Sequence, residues 1–317
     1  MKHLLTGALR REDAISLLDA AEDMHEVQDR QLKKLPALRG RTVVNAFFEN
    51  STRTRSSFEI AGKWLSADVI NVSGSASSVK KGESLRDTVL TLAAMGIDGI
   101  VMRHGDSGAA QLAADWLDVS FPSVRVINAG DGAHEHPTQA LLDAFALRRR
   151  LFGAQSRGRG LDGVRIAIAG DIAHSRVARS NALLLPALGA EVTFVGPPTL
   201  LPPGADTWNT TVTTDFDAVL QQPLDALMML RVQLERQRGA FVPSVGEYIV
   251  GWSLTDERRA KLDDDTVIMH PGPMNRGLEI SSRAAEGLQS AVLEQVTSGV
   301  SLRMAVLYSL IAGEEPQ

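Results

Sequence analysis

The sequence contains 317 residues, of which 44% are hydrophobic and 22% charged, and its formal net charge is −5. These values indicate a globular chain long enough for two domains, and the acidic excess argues against a general nucleic-acid binder, which needs clustered positive charge. The absence of cysteine excludes disulfides, thiolate nucleophiles, zinc–thiolate sites and iron–sulfur clusters.

Strand-like and helix-like segments alternate through the first half of the chain. Residues 42–48 (TVVNAFF) form an apolar, β-branched and aromatic run typical of a buried strand. Polar N-cap residue types over 51–54 then precede apolar residues at helical spacing. Repeated β–α units imply a parallel sheet with helices on both faces. The predicted elements are helices over 11–32, 51–64, 84–95, 107–117 and 138–150, and strands over 42–48, 69–72, 99–103 and 124–128.

A connection rich in Gly and Arg follows over 148–163, where the apolar periodicity is lost, and it is our candidate domain boundary. A second α/β series begins beyond it with GVRIAIA, whose apolar alternation before Gly-Asp predicts a strand. The fold class is therefore α/β, with two doubly wound parallel sheets. The elements predicted here are strands over 163–169, 191–195, 226–230 and 248–250, a helix over 176–188, and a helical segment over 288–310 interrupted at Gly299.

The apolar stretches of the chain are short. Lys, Arg, Asp or Glu interrupts every candidate before it reaches the roughly 18 residues that a membrane span requires. The first residues, MKHLLTGALRRED, become charged before an apolar signal-peptide region develops. We therefore expect a cytoplasmic protein that binds neither membrane nor nucleic acid.

The string FFENSTRTRSSFE, over 47–59, predicts an anion site. A polar turn after a buried strand exposes the backbone N–H groups of the next helix, where the helix dipole adds partial positive charge. Hydroxyl donors and guanidinium groups suited to phosphate stand together there at Ser51, Thr52, Arg53, Thr54 and Arg55. The alternative is an ordinary capped helix with two solvated arginines, against which the density of donors argues. Because Arg53 and Arg55 cannot share one helix face, we assign the phosphate to Arg53 and a structural ion pair to Arg55.

The same string resembles the carbamoyl-phosphate motif of the aspartate/ornithine carbamoyltransferase family. The similarity continues in order through SSVKKGESLRDT, MRHG, HPTQALLD, RVQLER and HPGPMNRGLEI. It implies a carbamoyl-phosphate-binding domain over 1–147 and a Rossmann-like aspartate-binding domain over 148–287, with C-terminal helices of about 288–317 packing back on the first domain. It also implies a homotrimer with active sites at the subunit interfaces.

The resemblance assigns roles to individual residues. It places Ser51, Thr52, Arg53 and Thr54 around the phosphate, and Arg103, His136 and Gln139 around the carbamoyl group. It places Ser77 and Lys81 in the active site of the neighbouring subunit, and backbone groups of Gly272 and Pro273 against carbamoyl phosphate. Taken alone, these features have simpler explanations: a structural histidine at His136, a solvated loop over 74–83 and a rigid Pro-Gly-Pro turn.

Residues of the second domain indicate the acceptor. Aspartate carries two carboxylates, which arginine binds well, and Arg176 and Arg231 occupy positions suited to meet at the carboxyl ends of the strands. Both match the family's aspartate-binding arginines, with Gln233 and Lys81 assisting. Ornithine is disfavoured because its branch of the family carries an HCLP string where this chain has HPGP. The turn GDIAHSR also lacks the glycines of a dinucleotide site, which disfavours NAD.

The resemblance implies transfer of a carbamoyl group from carbamoyl phosphate to L-aspartate, an early step of pyrimidine (UMP) biosynthesis. Arg53, Thr54, Lys81, Arg103 and His136 would act on the reacting groups by positioning and charge stabilisation. We expect no cofactor and no metal, since the seven histidines form no ligand pattern. A transcarbamylase of other specificity and a non-catalytic scaffold are the alternatives, and partner chains of a regulatory or dihydroorotase kind stay open.

Overall fold

The computed structural model describes residues 1–73, 82–233 and 244–312. Contacts between Cα atoms divide the chain into two compact units. The first unit comprises 1–7, 16–141 and the chain from Ser298 onward, and the second comprises 8–15 and 142–297. The domain boundaries predicted from the sequence stay a prediction.

The first unit contains a four-stranded sheet in the order β2-β1-β3-β4, with every pairing parallel. Its carboxyl strand ends therefore share one edge. Between the pairs Met102–Asn128 and His104–Asp131, β4 has one residue more than β3, which forms a bulge at that edge. The strands are β1 Thr42–Phe47, β2 Asp68–Ser73, β3 Gly99–His104 and β4 Arg125–Asp131.

The opening residues of the chain pair with the outer strand of this sheet. Leu4 forms a parallel bridge to Ile127; its backbone N–H donates to Val126 O and its carbonyl accepts from Asn128 N–H. The Val126 N–H donates to Nδ1 of His3 at 2.9 Å. This short segment thus covers the backbone edge of β4.

The second unit contains a five-stranded parallel sheet in the order β7-β6-β5-β8-β9. The strands are β5 Arg165–Ala169, β6 Glu191–Val195, β7 Thr211–Thr213, β8 Ala226–Met229 and β9 Val267–Met269. In both units the buried apolar side chains of the strands pack against helices, as a parallel sheet covered on its faces requires. The doubly wound α/β architecture predicted from the sequence is confirmed.

Helices lie between most successive strands, and others precede β1 or follow β9. They are α1 Arg11–Gln28, α2 Thr52–Trp64, α3 Leu85–Ala94, α4 Ala109–Ser120, α5 Pro137–Phe152, α6 Arg176–Ala187, α7 Phe216–Leu220, α8 Val245–Trp252, α9 Asp256–Arg259, α10 Ser282–Glu286 and α11 Val292–Leu307, with a π-helical turn over Tyr308–Ala312. Within the described ranges, none of them is long and apolar enough to cross a membrane.

Two predicted elements were wrong. Residues 248–250 lie inside α8 rather than in a strand, because the side chain of Ser244 accepts a hydrogen bond from Glu247 N–H and starts a helix there. The C-terminal helix is not interrupted at Gly299, which is buried within α11. The Gly299 carbonyl also accepts a hydrogen bond from Arg303 Nη1 at 3.0 Å, one turn further along.

Candidate active site

The predicted phosphate site lies where β1 ends and α2 begins. Ser51 is the N-cap residue, extended at φ −160° and ψ 101°, and its side chain makes no capping hydrogen bond. Thr52 and Arg53 are exposed on the first turn of α2, whereas Thr54 is buried. The geometry provides outward N–H groups, hydroxyls and a guanidinium group at one helix terminus, which together suit an oxyanion.

Arg55 does not form the structural ion pair that we predicted, as far as the described residues extend. It is exposed on α2, and Glu59, four residues further along, hydrogen bonds to Lys63 at 2.6 Å and to Asn71 at 3.0 Å. These two hydrogen bonds, with a smaller contribution from the charge of Arg55, hold the pKa of Glu59 below its usual range.

Arg103 stands at the same sheet edge, on the strand next to β1. It is paired in register with Phe47, the last residue of β1. Its Nη1 donates to Ala129 O at 3.3 Å, and its Nε lies 3.1 Å from Oε2 of Glu49. The side chain is 13% exposed, so the guanidinium group is held in one place by a carbonyl and a carboxylate. Glu49 is not among the site residues predicted from the sequence.

His136 and Gln139 follow the next strand, β4. Both side chains are buried, and the Thr138 hydroxyl lies 3.5 Å from Nδ1 of His136. Parallel strands β1, β3 and β4 are neighbours, so the residues after their carboxyl ends lie along one edge. The structure therefore brings the predicted phosphate and carbamoyl residues of the first unit to the same edge of one sheet.

Two buried carboxylates, which the sequence analysis did not identify as site residues, shape the turn before His136. Asp131 accepts hydrogen bonds from Gly108 N–H at 2.6 Å and from Nδ2 of Asn128 at 2.8 Å. Glu135 accepts from the Thr6 hydroxyl at 2.5 Å and from Gly7 N–H at 2.6 Å. These bonds fix the turn to the sheet and to the opening residues of the chain.

The predicted acceptor residues lie in the second unit. Arg176 is the buried first residue of α6, and half-buried Arg231 stands two residues after β8. Their strands, β5 and β8, are neighbours and parallel. Leu230 N–H donates to Ala169 O, which continues that pairing one residue beyond β8. The two arginines thus follow adjacent strands at one sheet edge, as the sequence predicts.

Gln233 and the turn after β5 are connected through buried Asp171. An Asp171 carboxylate oxygen accepts from Nδ1 of His174 at 2.8 Å, and the other accepts from Gln233 N–H at 3.4 Å. The side chain of Gln233 donates through Nε2 to His174 O at 3.2 Å. Asp171 therefore orders the turn that precedes Arg176.

Both units carry the pattern Gly-Asp-x-Ala-His near the end of a strand. GDGAH over 130–134 begins with the last two residues of β4, whereas GDIAH over 170–174 follows β5. In each string the Asp carboxylate accepts from Nδ1 of the His three residues later. The shared Gly-Asp at a strand end is the sequence signal that could have identified both carboxylates.

Gly272 and Pro273 lie in the second unit, after β9. Gly272 has φ +61°, a left-handed conformation that favours glycine, and its N–H donates to Nδ1 of buried His270 at 2.8 Å. Ser77 and Lys81 lie outside the described residues.

Tyr248 is a buried tyrosine whose hydroxyl is influenced by the carboxylates of Glu279 and Asp171. Burial, together with the charges of Glu279 and Asp171, raises the pKa of Tyr248 above its usual range. A Cβ at Gly170 would lie 2.9 Å from Leu230 O and 3.1 Å from the Tyr248 hydroxyl, so only glycine fits there. In the described parts of the chain, no cluster of three or more His, Asp or Glu residues is arranged to hold a metal ion.

Comparison with known proteins agrees with this geometry. Residues 2–149 match a family model described as the carbamoyl-P binding domain of aspartate/ornithine carbamoyltransferase, and residues 162–310 match the Asp/Orn binding domain of the same enzymes. The two matches define a carbamoyl transferase of two α/β domains.

Relatives cover the chain from end to end. Proteins named aspartate carbamoyltransferase catalytic subunit from Leifsonia xyli subsp. xyli and Clavibacter sepedonicus are 61% and 60% identical to it. The first alignment covers 99% of both chains, and the second covers 99% of this chain and 98% of the relative. The chain belongs to the aspartate/ornithine carbamoyltransferase family.

Solved structures show the same fold. Aspartate transcarbamoylase from Trypanosoma cruzi in complex with carbamoyl phosphate and aspartate has a TM-score of 0.84 and 30% identity, covering 98% of this chain and 97% of that one. The catalytic subunit of M. Jannaschii aspartate transcarbamoylase has a TM-score of 0.81 and 34% identity, covering 98% of both chains.

Proposed function

We propose that the protein transfers the carbamoyl group of carbamoyl phosphate to L-aspartate, giving N-carbamoyl-L-aspartate and phosphate, an early step of pyrimidine biosynthesis. The observation that carries the choice of acceptor is the pair Arg176 and Arg231 after adjacent strands of the second unit. Two guanidinium groups suit the two carboxylates of aspartate. The full-length relatives bear the name of this activity.

In the proposed mechanism the first unit binds carbamoyl phosphate. Ser51, Thr52 and the first-turn N–H groups of α2 hold the phosphate, and Arg53 balances its charge. The hydroxyl of Thr54 reaches the same group from the buried side of the helix. Gln139 orients the carbamoyl amide. Backbone groups of Gly272 and Pro273 also contact carbamoyl phosphate in this proposal, on the support of the family motif HPGPMNRGLEI.

The aspartate amine then attacks the carbamoyl carbon. Negative charge develops on the carbamoyl oxygen, and Thr54, Arg103 and His136 stabilise it by hydrogen bonds. The bond from carbon to the phosphate oxygen breaks, and Arg53 and Lys81 stabilise the leaving phosphate, which accepts the amine proton. Arg176, Arg231 and Gln233 hold the aspartate. The rate enhancement comes from positioning and charge, and no covalent enzyme intermediate is needed.

We further propose that the protein acts in the cytoplasm as a homotrimer in which Ser77 and Lys81 complete the active site of a neighbouring subunit. The support is the family motif over 74–83. A mixture of inactive Lys81→Ala and Arg53→Ala proteins, refolded together, should regain activity, because some sites in hybrid trimers combine two intact halves. Failure to regain any activity would refute shared sites.

The activity is tested by measuring phosphate release from carbamoyl phosphate with L-aspartate and L-ornithine as parallel acceptors and identifying the product. Turnover with aspartate and formation of carbamoyl aspartate is the expected result. Turnover with ornithine instead would refute the assignment of Arg176 and Arg231. Absence of turnover with either acceptor would refute the proposed reaction.

A further inference from the structure

The turn that follows β9 is organised by a buried His–Glu pair. Both side chains, His270 and Glu279, are fully buried, and Nε2 of His270 lies 3.2 Å from Oε1 of Glu279. Nδ1 of His270 accepts from Gly272 N–H, so this nitrogen carries a lone pair and the ring proton is on Nε2. The backbone N–H of His270 also donates to Oε1 of Gln295 at 2.9 Å. The imidazole is therefore fixed in one tautomer, with one nitrogen toward each partner.

The same carboxylate oxygen receives a second bond from the other end of the turn. Asn275 N–H donates to Oε1 of Glu279 at 2.5 Å. Glu279 thus contacts Asn275 directly and Gly272 through His270. Because all these groups are buried or half-buried, their hydrogen bonds restrict the turn more than exposed ones would.

The side chain of Asn275 extends this network to the segment after β8. Its Nδ2 donates to Val232 O at 3.2 Å. Val232 stands between Arg231 and Gln233, and Gln233 is bonded in turn to the Asp171–His174 turn that precedes Arg176. Within the second unit, these hydrogen bonds and the peptide bond between Val232 and Gln233 join three segments that carry proposed substrate-binding residues.

We propose that Asn275 is a positioning residue that sets the Arg231–Gln233 segment relative to the Gly272–Pro273 turn. This inference rests on the proposed function for the roles of those two segments. Asn275 is the connecting residue because its backbone N–H bonds to Glu279 while its side chain bonds to Val232 O. Without the amide, each segment would keep its own local bonds and lose the bond between them.

The test compares Asn275→Ala with Thr266→Val in the full chain. Thr266 is the matched control, because its hydroxyl also donates to a backbone carbonyl, that of Leu224, at 2.9 Å. Leu224 precedes the first residue of β8, whereas Val232 follows its last residue. We expect Asn275→Ala to lower kcat/KM for aspartate at least tenfold, chiefly through KM, and to change KM for carbamoyl phosphate less than threefold. Thr266→Val should leave both constants within twofold of the unaltered protein.

Two results would overturn the inference: an unchanged KM for aspartate in Asn275→Ala, or an equal change in Thr266→Val, which would indicate general loosening. Amide hydrogen exchange gives a readout that does not depend on activity. Asn275→Ala should raise exchange in the peptide covering 230–233, and unchanged exchange there also refutes the coupling. Failure of the proposed function is recognised separately, because the unaltered protein would then form no carbamoyl aspartate.

Discussion

Replacing Glu49 by Gln is expected to lower kcat by its effect on Arg103. Oε2 of Glu49 lies 3.1 Å from Nε of Arg103, and the side chains of Glu49 and Arg103 are 27% and 13% exposed, respectively. At an effective dielectric constant of about 20, the Coulomb energy at this distance is about 5 kcal/mol. Desolvation of both groups and solvent screening reduce the net effect to about 1–2 kcal/mol. Glutamine preserves the shape of the side chain and removes only the charge.

If this energy restrains the guanidinium group beside the developing oxyanion, its loss corresponds to about a 5- to 30-fold lower kcat, since about 1.4 kcal/mol is tenfold. Arg103→Ala removes the donor itself and should lower kcat about 100-fold or more. In the Arg103→Ala background, Glu49→Gln should have no further effect, because Glu49 acts through that guanidinium group.

The assay is steady-state turnover at saturating carbamoyl phosphate and aspartate for the unaltered protein, both single variants and the double variant. Glu59→Gln is the matched control, because it removes a charged partner of Lys63 in the same unit and should change kcat less than twofold. If Glu49→Gln lowers kcat by the same factor in the unaltered protein and in Arg103→Ala, Glu49 acts by a route other than Arg103. Unchanged kcat in the single variant would refute the restraint altogether.

Arg53→Ala should lower kcat about a hundredfold by removing charge stabilisation from the leaving phosphate; near-normal turnover would show that the helix N-terminus suffices. Arg231→Ala should raise KM for aspartate about tenfold or more and leave carbamoyl-phosphate binding unchanged, as calorimetry can check; equal weakening of both would contradict its assignment to the acceptor. Burial lowers the pKa of His3, against the opposing hydrogen bond to Asp118. Below about pH 6.5, His3 therefore binds more protons in the unfolded chain than in the folded protein. The free energy of unfolding is fully present above that pH and decreases as the pH falls toward and through the lower pKa of His3 in the folded state. His3→Asn, whose amide oxygen can accept from Val126 N–H, should lose less thermal stability than the unaltered protein between pH 7.5 and 5.5; equal losses would exclude His3 as the cause.

Most of the fold follows from sequence periodicity because the buried strands and amphipathic helices are long enough to show it. Strands β7 and β9 have three residues each, too few to display a period. Residues 248–250 have strand-like side chains, but Ser244 caps a helix there, and Val250 is exposed as one helix face would be. Local capping decided the structure where β propensity was ambiguous.

The candidate site likewise has residues that the sequence predicts and residues that only the fold shows. Cationic and hydroxyl groups were predictable because they stand in short strings next to strand ends, as in STRTR. The carboxylates of Glu49 and Glu279 carry no such sequence signal, because their pairing depends on which segments become neighbours. Glu49 meets Arg103 only once β1 and β3 lie side by side, and Glu279 meets His270 only once the chain after β9 turns back.

The pairing of the opening residues with β4 also affects solubility and tolerance to truncation. Removing residues 1–7 would uncover the Val126 N–H and Asn128 N–H groups at the edge of β4, and exposed strand edges promote aggregation between chains. The same truncation would remove the two donors that Thr6 and Gly7 provide to buried Glu135, leaving its charge less compensated. We therefore expect residues 1–7 to limit self-association and to stabilise the turn that carries His136.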